Sequence, residues 1–256
     1  MGLYSRGVGL ATILDKLVVG AVANITTPVF SAKVRAGEDL KHPYLTSISY
    51  LTVVAWPFLI FMIINAEPIV LLMFGKQWAA AVPVVQILCC SNIIRALGQF
   101  GPMLLIAVGN IKDIMKSSLL IEPIKIILIF LAASSGLYEV AIAIMISSTL
   151  RLVTTYVFLF RIITFTFSDL FRILYSGIVV SILSNAFGYF GKEWFSAFDC
   201  SQYITLPISN TDCNNLVLLL ASGISFFIFW VASIFIIKHP IAKEVSIAMN
   251  FVKRFF

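Results

Sequence analysis

Long apolar runs alternate with short polar links along the chain. The runs lie at roughly 8–31, 43–65, 83–108, 114–134, 138–163, 170–190 and 215–237. Each is long enough to cross a bilayer as a helix, which takes about 20 mostly apolar residues. The pattern predicts an all-α polytopic transmembrane helical bundle of about seven spans over residues 1–238. A shorter apolar piece, Pro68 to Trp78, follows the second run and reads as a re-entrant or interfacial turn. Residues 239–256 are too charged to span and form a separate basic tail. There Ile241, Val245, Ala248, Val252 and Phe255 share one helical face, with Lys243, Asn250, Lys253 and Arg254 largely opposite. That stretch is either an amphipathic helix in the cytoplasmic headgroup layer or a frayed basic end.

Composition removes the soluble alternatives. Of 256 residues 60% are hydrophobic and only 12% charged, with a mean hydropathy of +1.02. A soluble domain is about 45–50% apolar and about 25% charged. The net charge of +6 would raise nucleic acid as a partner in a soluble chain. Here no basic patch carries interleaved aromatics, and the basic residues sit in the links, so membrane lipids and not nucleic acid are the expected surroundings. Lys33, Arg35, Lys41, Lys112, Lys116, Arg161, Arg172, Lys238, Lys243, Lys253 and Arg254 fall on one side of the seven-span arrangement. Arg6, Lys76 and Lys192 fall on the other. The positive-inside rule then places the odd links and the C-terminus in the cytoplasm and the N-terminus outside. No cleavable signal peptide is visible, so the first run itself is expected to direct insertion.

Charged side chains inside a span cost about 2.5–3.5 kcal/mol on insertion scales, so each needs a polar cavity or a partner. Asp15 and Lys16 are neighbours in the first run and project about 100° apart, so they do not face each other well. Arg95 lies within the third run, followed by Gly98, Gln99, Gly101 and Pro102. The glycines permit close backbone approach, and the proline frees a carbonyl. Glu122 and Lys125 form an i, i+3 pair that either neutralises itself or lines a cavity. Arg151, in the fifth run, has no local acid, so it needs a distant partner or an anionic ligand, as does Arg95. Arg95, Arg151, Lys16 and Lys125 outnumber Asp15 and Glu122. Such a cavity favours a phosphate-bearing substrate, which Arg grips through a bidentate fork.

Catalytic motifs are missing from the sequence. His42 and His239 have no metal-ligand neighbour at i+3 or i+4, and there is no phosphate-binding loop and no Gly-x-Ser-x-Gly elbow. Neither enzyme activity, a metal nor a cofactor is expected. Cys89 and Cys90 read as small hydrophobes within a span. Cys200 and Cys213 flank the longest outer link and pair only if it faces an oxidising compartment.

Several stretches, in order over residues 2–163, resemble the polysaccharide and O-antigen flippases, which share a superfamily with the multidrug exporters. They are the opening Gly2-Leu-Tyr-Ser-Arg6 with its run ending in Asn24-Ile-Thr-Thr-Pro-Val-Phe-Ser31, and Met73 to Leu88 with its Phe-Gly, Trp, Ala and Pro. Arg95, then Leu104 to Lys112, and the Gly-led start of a helix within Ser134 to Ser147 follow. The resemblance implies a carrier that flips an undecaprenyl-diphosphate-linked glycan across the bacterial inner membrane in polysaccharide or lipopolysaccharide biosynthesis. It implies two six-helix lobes that rock around a central cavity. The opening motif falls where the second lobe starts, so the chain is expected to be the C-terminal lobe of a larger carrier, needing the missing N-terminal lobe or a second copy. Arg95, Arg151, Lys16, Lys125, Glu122, Asp15 and Gln99 are the expected cavity residues. Other readings are a seven-helix receptor, half of a multidrug or ion antiporter, and an inactive truncated membrane subunit. The receptor reading lacks an Asp/Glu-Arg-Tyr end to the third span and an Asn-Pro-x-x-Tyr in the last.

Overall fold

Proline and glycine punctuate the helices where the sequence places them. A computed structural model describes residues 20–196 and 210–237, together with Gly9. The described residues are helical throughout their regular structure: α1 (Gly20–Ala36), α2 (Lys41–Ile64), α3 (Ala66–Phe74), a 3-10 turn (Lys76–Ala81), α4 (Val82–Gly98), α5 (Gly101–Ala107), α6 (Ile111–Ala133), α7 (Leu137–Leu159), α8 (Phe167–Ser196) and α9 (Asn210–Ile236). Helix α1 stops at Gly37, whose φ of 66° suits a glycine C-cap, and Glu38 N–H returns to the Lys33 carbonyl at 3.0 Å. Asp39 then accepts the backbone N–H of Lys41 at 3.0 Å and of His42 at 3.4 Å, which starts α2. The Lys41 N–H is the main cause that holds the Asp39 carboxyl below its ordinary range. This helix-start contact is therefore in place above the usual carboxylate range and is lost as pH falls through that lowered value.

Five stretches are long and apolar enough to cross a membrane: Lys41–Ile64, Lys76–Ala107, Leu137–Leu159, Ser168–Trp194 and Asn214–Ile236. They match the second, third, fifth, sixth and seventh expected runs. The first run is described over residues 20–31, which form the start of α1, and most of its earlier part lies outside the described residues. The fourth is the 23-residue helix α6, which is long enough but carries Lys116, Glu122 and Lys125 along its apolar length. The piece after the second run is the helix α3, which packs against α2, α4 and α9. The third run is not one continuous helix. It breaks at Gln99–Phe100, because Pro102 has no N–H for the Gly98 carbonyl and its ring would crowd it.

The contacts between helices fix their directions. Ser91 meets Ser148 at 2.8 Å, and the Tyr156 hydroxyl donates to the Leu97 carbonyl at 3.1 Å, so α4 and α7 run parallel. Ser117 meets Thr154 at 3.2 Å and Glu122 meets Arg151, so α6 runs antiparallel to α7. Trp56 donates to the Ile93 carbonyl at 3.2 Å and Gln86 to the Ile63 carbonyl at 3.1 Å, so α2 and α4 are antiparallel. The neighbour order is α6, α7, α4, α2, α8, α9, with α1 against α5. Direction therefore alternates across the links, and the starts of α2, α6 and α8 share one end. There the Lys41 ammonium lies 2.7 Å from Asp169, and Phe165 stacks on Phe160. Lys41, Lys112, Lys116, Arg161 and Arg172 gather at this end, in agreement with the charge asymmetry of the sequence.

Pro57 shows how such a bundle satisfies its backbone in lipid. Lacking an N–H, it leaves the Val53 carbonyl without its helical donor. The Trp230 indole of α9 donates to that carbonyl at 3.0 Å, and Asn185 of α8 donates to the Pro57 carbonyl at 3.2 Å. With no water in the bilayer core, these side chains take the place of solvent. Phe58 wedges edge-on between Phe226 and Trp230, at 5.1 and 5.3 Å. Trp230→Phe keeps an aromatic ring and removes the donor, and should lower stability in detergent by about 0.6–1.7 kcal/mol. An unchanged thermal melt would show that another group serves the Val53 carbonyl. The outer face of α6 meanwhile exposes Met115, Leu119, Ile126 and Phe130, as a lipid-facing helix does.

Candidate functional site

Three polar stripes face one another inside the bundle. On α4, Ser91, Asn92 and Arg95 recur at helical spacing and lead to Gln99 at the break. On α6 Glu122 and Lys125 face that stripe, flanked by Ile129, and on α7 the stripe is Ser147, Ser148, Arg151 and Thr155, flanked by Ile144. With Gly98 and Pro102 they line a cavity of about 690 Å³ between α4, α5, α6 and α7. Five of the expected cavity residues, Arg95, Gln99, Glu122, Lys125 and Arg151, thus meet in one place although they come from separate helices. Asp15 and Lys16 lie outside the described residues. So do Cys200, the side chain of Cys213 and the tail 239–256. Cys89 is buried in the core and, like Cys90, carries a free thiol.

The break between α4 and α5 shapes one wall. A methyl group at Gly98 would come within 2.9 Å of the Leu152 side chain, and one at Gly101 would strike Thr155. The two glycines let α4 and α5 lie directly on α7, which brings Arg95 and Gln99 to the same cavity as Arg151.

The distant acid that Arg151 needs is Glu122. The Arg151 guanidinium donates to Glu122 Oε1, and the Lys125 ammonium stands 3.7 Å from Glu122 Oε2. The i, i+3 pair of α6 therefore does not simply neutralise itself, because its carboxylate is shared with α7. Side-chain exposures of 38% for Arg151, 47% for Glu122 and 42% for Lys125 leave all three open to the cavity. Hydrocarbon cannot solvate such charges, so this face must meet water or another polar surface. Arg95, Lys125 and Arg151 against Glu122 leave the cavity wall cationic. Sequence reasoning missed Ser91, Asn92, Ser147, Ser148 and Thr155. The signal was present as the polar stripe 147, 148, 151, 155 in the fifth run, where charge alone drew notice to Arg151. A smaller cavity of about 190 Å³, lined by Asn65, Glu67, Lys192 and Asn215, opens at the end opposite the basic links.

Residues 1–83 match the family described as polysaccharide biosynthesis protein. The chain is 24% identical over 110 residues to the teichuronic acid biosynthesis protein TuaB of Bacillus subtilis, an overlap of 43% of this chain and 23% of that protein. It is 32% identical over 104 residues to the succinoglycan biosynthesis transport protein ExoT of Rhizobium meliloti, covering 40% of this chain and 21% of that one. It is 23% identical over 110 residues, 43% of its length and 22% of the relative's, to the lipopolysaccharide biosynthesis protein WzxC of Escherichia coli. The chain thus covers less than a quarter of the length of each of these relatives. No solved structure matches it significantly. Residues 1–83 include the stretches 2–6, 24–31 and 74–78, and over that part this multi-pass membrane protein is similar to the polysaccharide biosynthesis proteins.

Proposed function

We propose that this chain is one lobe of a carrier that flips an undecaprenyl-diphosphate-linked glycan across the bacterial inner membrane. The observation that carries the reading is the convergence of Arg95, Arg151 and Lys125 on one polar cavity within an otherwise apolar bundle. A diphosphate brings negative charge into the membrane, and guanidinium groups bind phosphate through two parallel hydrogen bonds. Ser91, Asn92, Gln99 and Ser148 supply hydroxyls and amides for the sugar hydroxyls. Flipping makes and breaks no covalent bond, so the chain needs charge, water and movable helices. The interruption at Gln99–Phe100 provides a discontinuous helix beside the cavity, the kind of element around which carriers change access. The half-exposed charges call for a second polar layer, which a further lobe of the carrier or a second copy of the chain would supply. The basic end faces the cytoplasm on this reading and the N-terminus faces out.

The test uses the complete carrier. Arg95→Ala and Arg151→Ala should each reduce glycan export about tenfold or more, the loss of one charge-assisted contact, while membrane abundance holds. Full export by both variants would remove the reading.

A further inference from the structure

We propose that Glu122 is a resident counter-anion: it holds Arg151 and Lys125 while the cavity is empty and cedes them to the phosphates of the substrate by exchange. The inference rests on the reading of the cavity as a diphosphate site. It concerns what occupies that site between substrates.

The two carboxylate oxygens are divided between two cations. Glu122 Oε1 accepts from the Arg151 guanidinium across the α6–α7 contact, and Oε2 faces the Lys125 ammonium at 3.7 Å. An ion pair open to solvent contributes little as a tie between helices. This one opens on the cavity, with all three side chains between 38% and 47% exposed. An incoming anion can therefore reach the same nitrogens that the carboxylate occupies. Arginine presents the same fork of N–H groups to a carboxylate and to a phosphate, so the two anions compete for it. The Lys125 contact is longer than a hydrogen bond, so charge rather than direction maintains it, and the ammonium can turn to a ligand. Among the described residues that line the cavity, Glu122 is the one acid.

Exchange has two consequences for a carrier. A ligand must outcompete a carboxylate already in place, so a diphosphate is accepted and a neutral glycan is refused. When the substrate leaves, Glu122 recaptures the cations, which hastens release and keeps the empty cavity from holding stray anions.

The experiment measures inorganic pyrophosphate binding by calorimetry to the complete carrier in phosphatidylcholine nanodiscs. Glu122→Gln, which keeps the shape and removes the competing charge, should bind about tenfold more tightly than the wild type, and Arg151→Ala about tenfold more weakly. Glu122→Asp draws the carboxylate back by one methylene and should tighten binding by a smaller factor. It decides the matter if Glu122→Gln does not fold. Unchanged or weaker binding by the folded Glu122 variants, with Arg151→Ala still impaired, overturns the exchange and leaves the cavity reading standing. No binding by any form, wild type included, overturns both. Replacing part of the phosphatidylcholine with phosphatidylglycerol should leave the wild-type affinity unchanged. An affinity drop that depends on Arg151 would make a lipid headgroup the ligand and overturn the proposal.

Discussion

Arg151→Glu should abolish glycan export by the complete carrier and sharply lower its abundance in the membrane. The substitution turns the contact with Glu122 from attraction into repulsion. Two unit charges about 4 Å apart interact by about 1 kcal/mol in bulk water and about 4 kcal/mol near a protein surface, and this partly exposed site lies between the two. It also leaves the cavity wall with as many acids as bases, since only Arg95 and Lys125 remain cationic. Combining Arg151→Glu with Glu122→Arg restores an opposed pair between α6 and α7 and returns the cavity to its cationic balance. Membrane abundance should then recover to near the wild-type level. Export should recover only in part, because the cation now projects from the other helix and meets the substrate from a different direction. Immunoblots of the membrane fraction and an export assay read the two effects separately. A double variant as scarce as Arg151→Glu would show that repulsion between positions 122 and 151 is not what lowers abundance.

The second large effect is expected at Gly101. A methyl group there would strike Thr155 and come within 3.2 Å of the Leu159 side chain. Thr155 is β-branched and stiff about χ1, so it cannot simply swing aside. Overpacking of this kind costs about 1–3 kcal/mol. It would also push α5 away from α7 next to the break at Gln99–Phe100, where Arg95 and Gln99 are set against the cavity. Gly101→Ala should therefore lower the melting temperature in detergent and weaken pyrophosphate binding together. Gly223→Ala in α9 is the control, because its added methyl would meet only the tip of Phe61 at 3.9 Å. That variant should be neutral or slightly stabilising, since alanine is the better helix former by about 1 kcal/mol. Equal behaviour of the two variants would mean that the close approach of α5 to α7 carries no weight.

Much of this architecture was legible in the order of residues. Apolar runs of membrane length mark the helices, because each must satisfy its own backbone in lipid. Gly37, Gly75, Gly109 and Gly136, all with positive φ, stand at the ends of helices or in the links between them. The basic links gather at one end as their alternation requires. In the third run Gly98, Gly101 and Pro102 stand out in the sequence, and the break falls among them. An internal proline either kinks or breaks a helix, and the packing of Gly98 and Gly101 on α7 accompanies the break here. In the fourth run, Glu122 and Lys125 were noticed as neighbours at i, i+3, which local geometry makes visible.

The sequence by itself determined the lipid setting, the helices, the side chains that needed partners and the excess of cations among them. Only the tertiary structure decided which partners they found. Arg151 takes its acid from 29 positions away, and the Val53 carbonyl takes its donor from 177 positions away. Helical periodicity tells which residues share a face, but not which neighbour that face turns toward. The rotation of each helix and the order α6, α7, α4, α2, α8, α9 come from long-range packing. Gly98 and Gly101 set the approach of α4 and α5 to α7, and that approach brings three separate stripes of polar residues to one cavity.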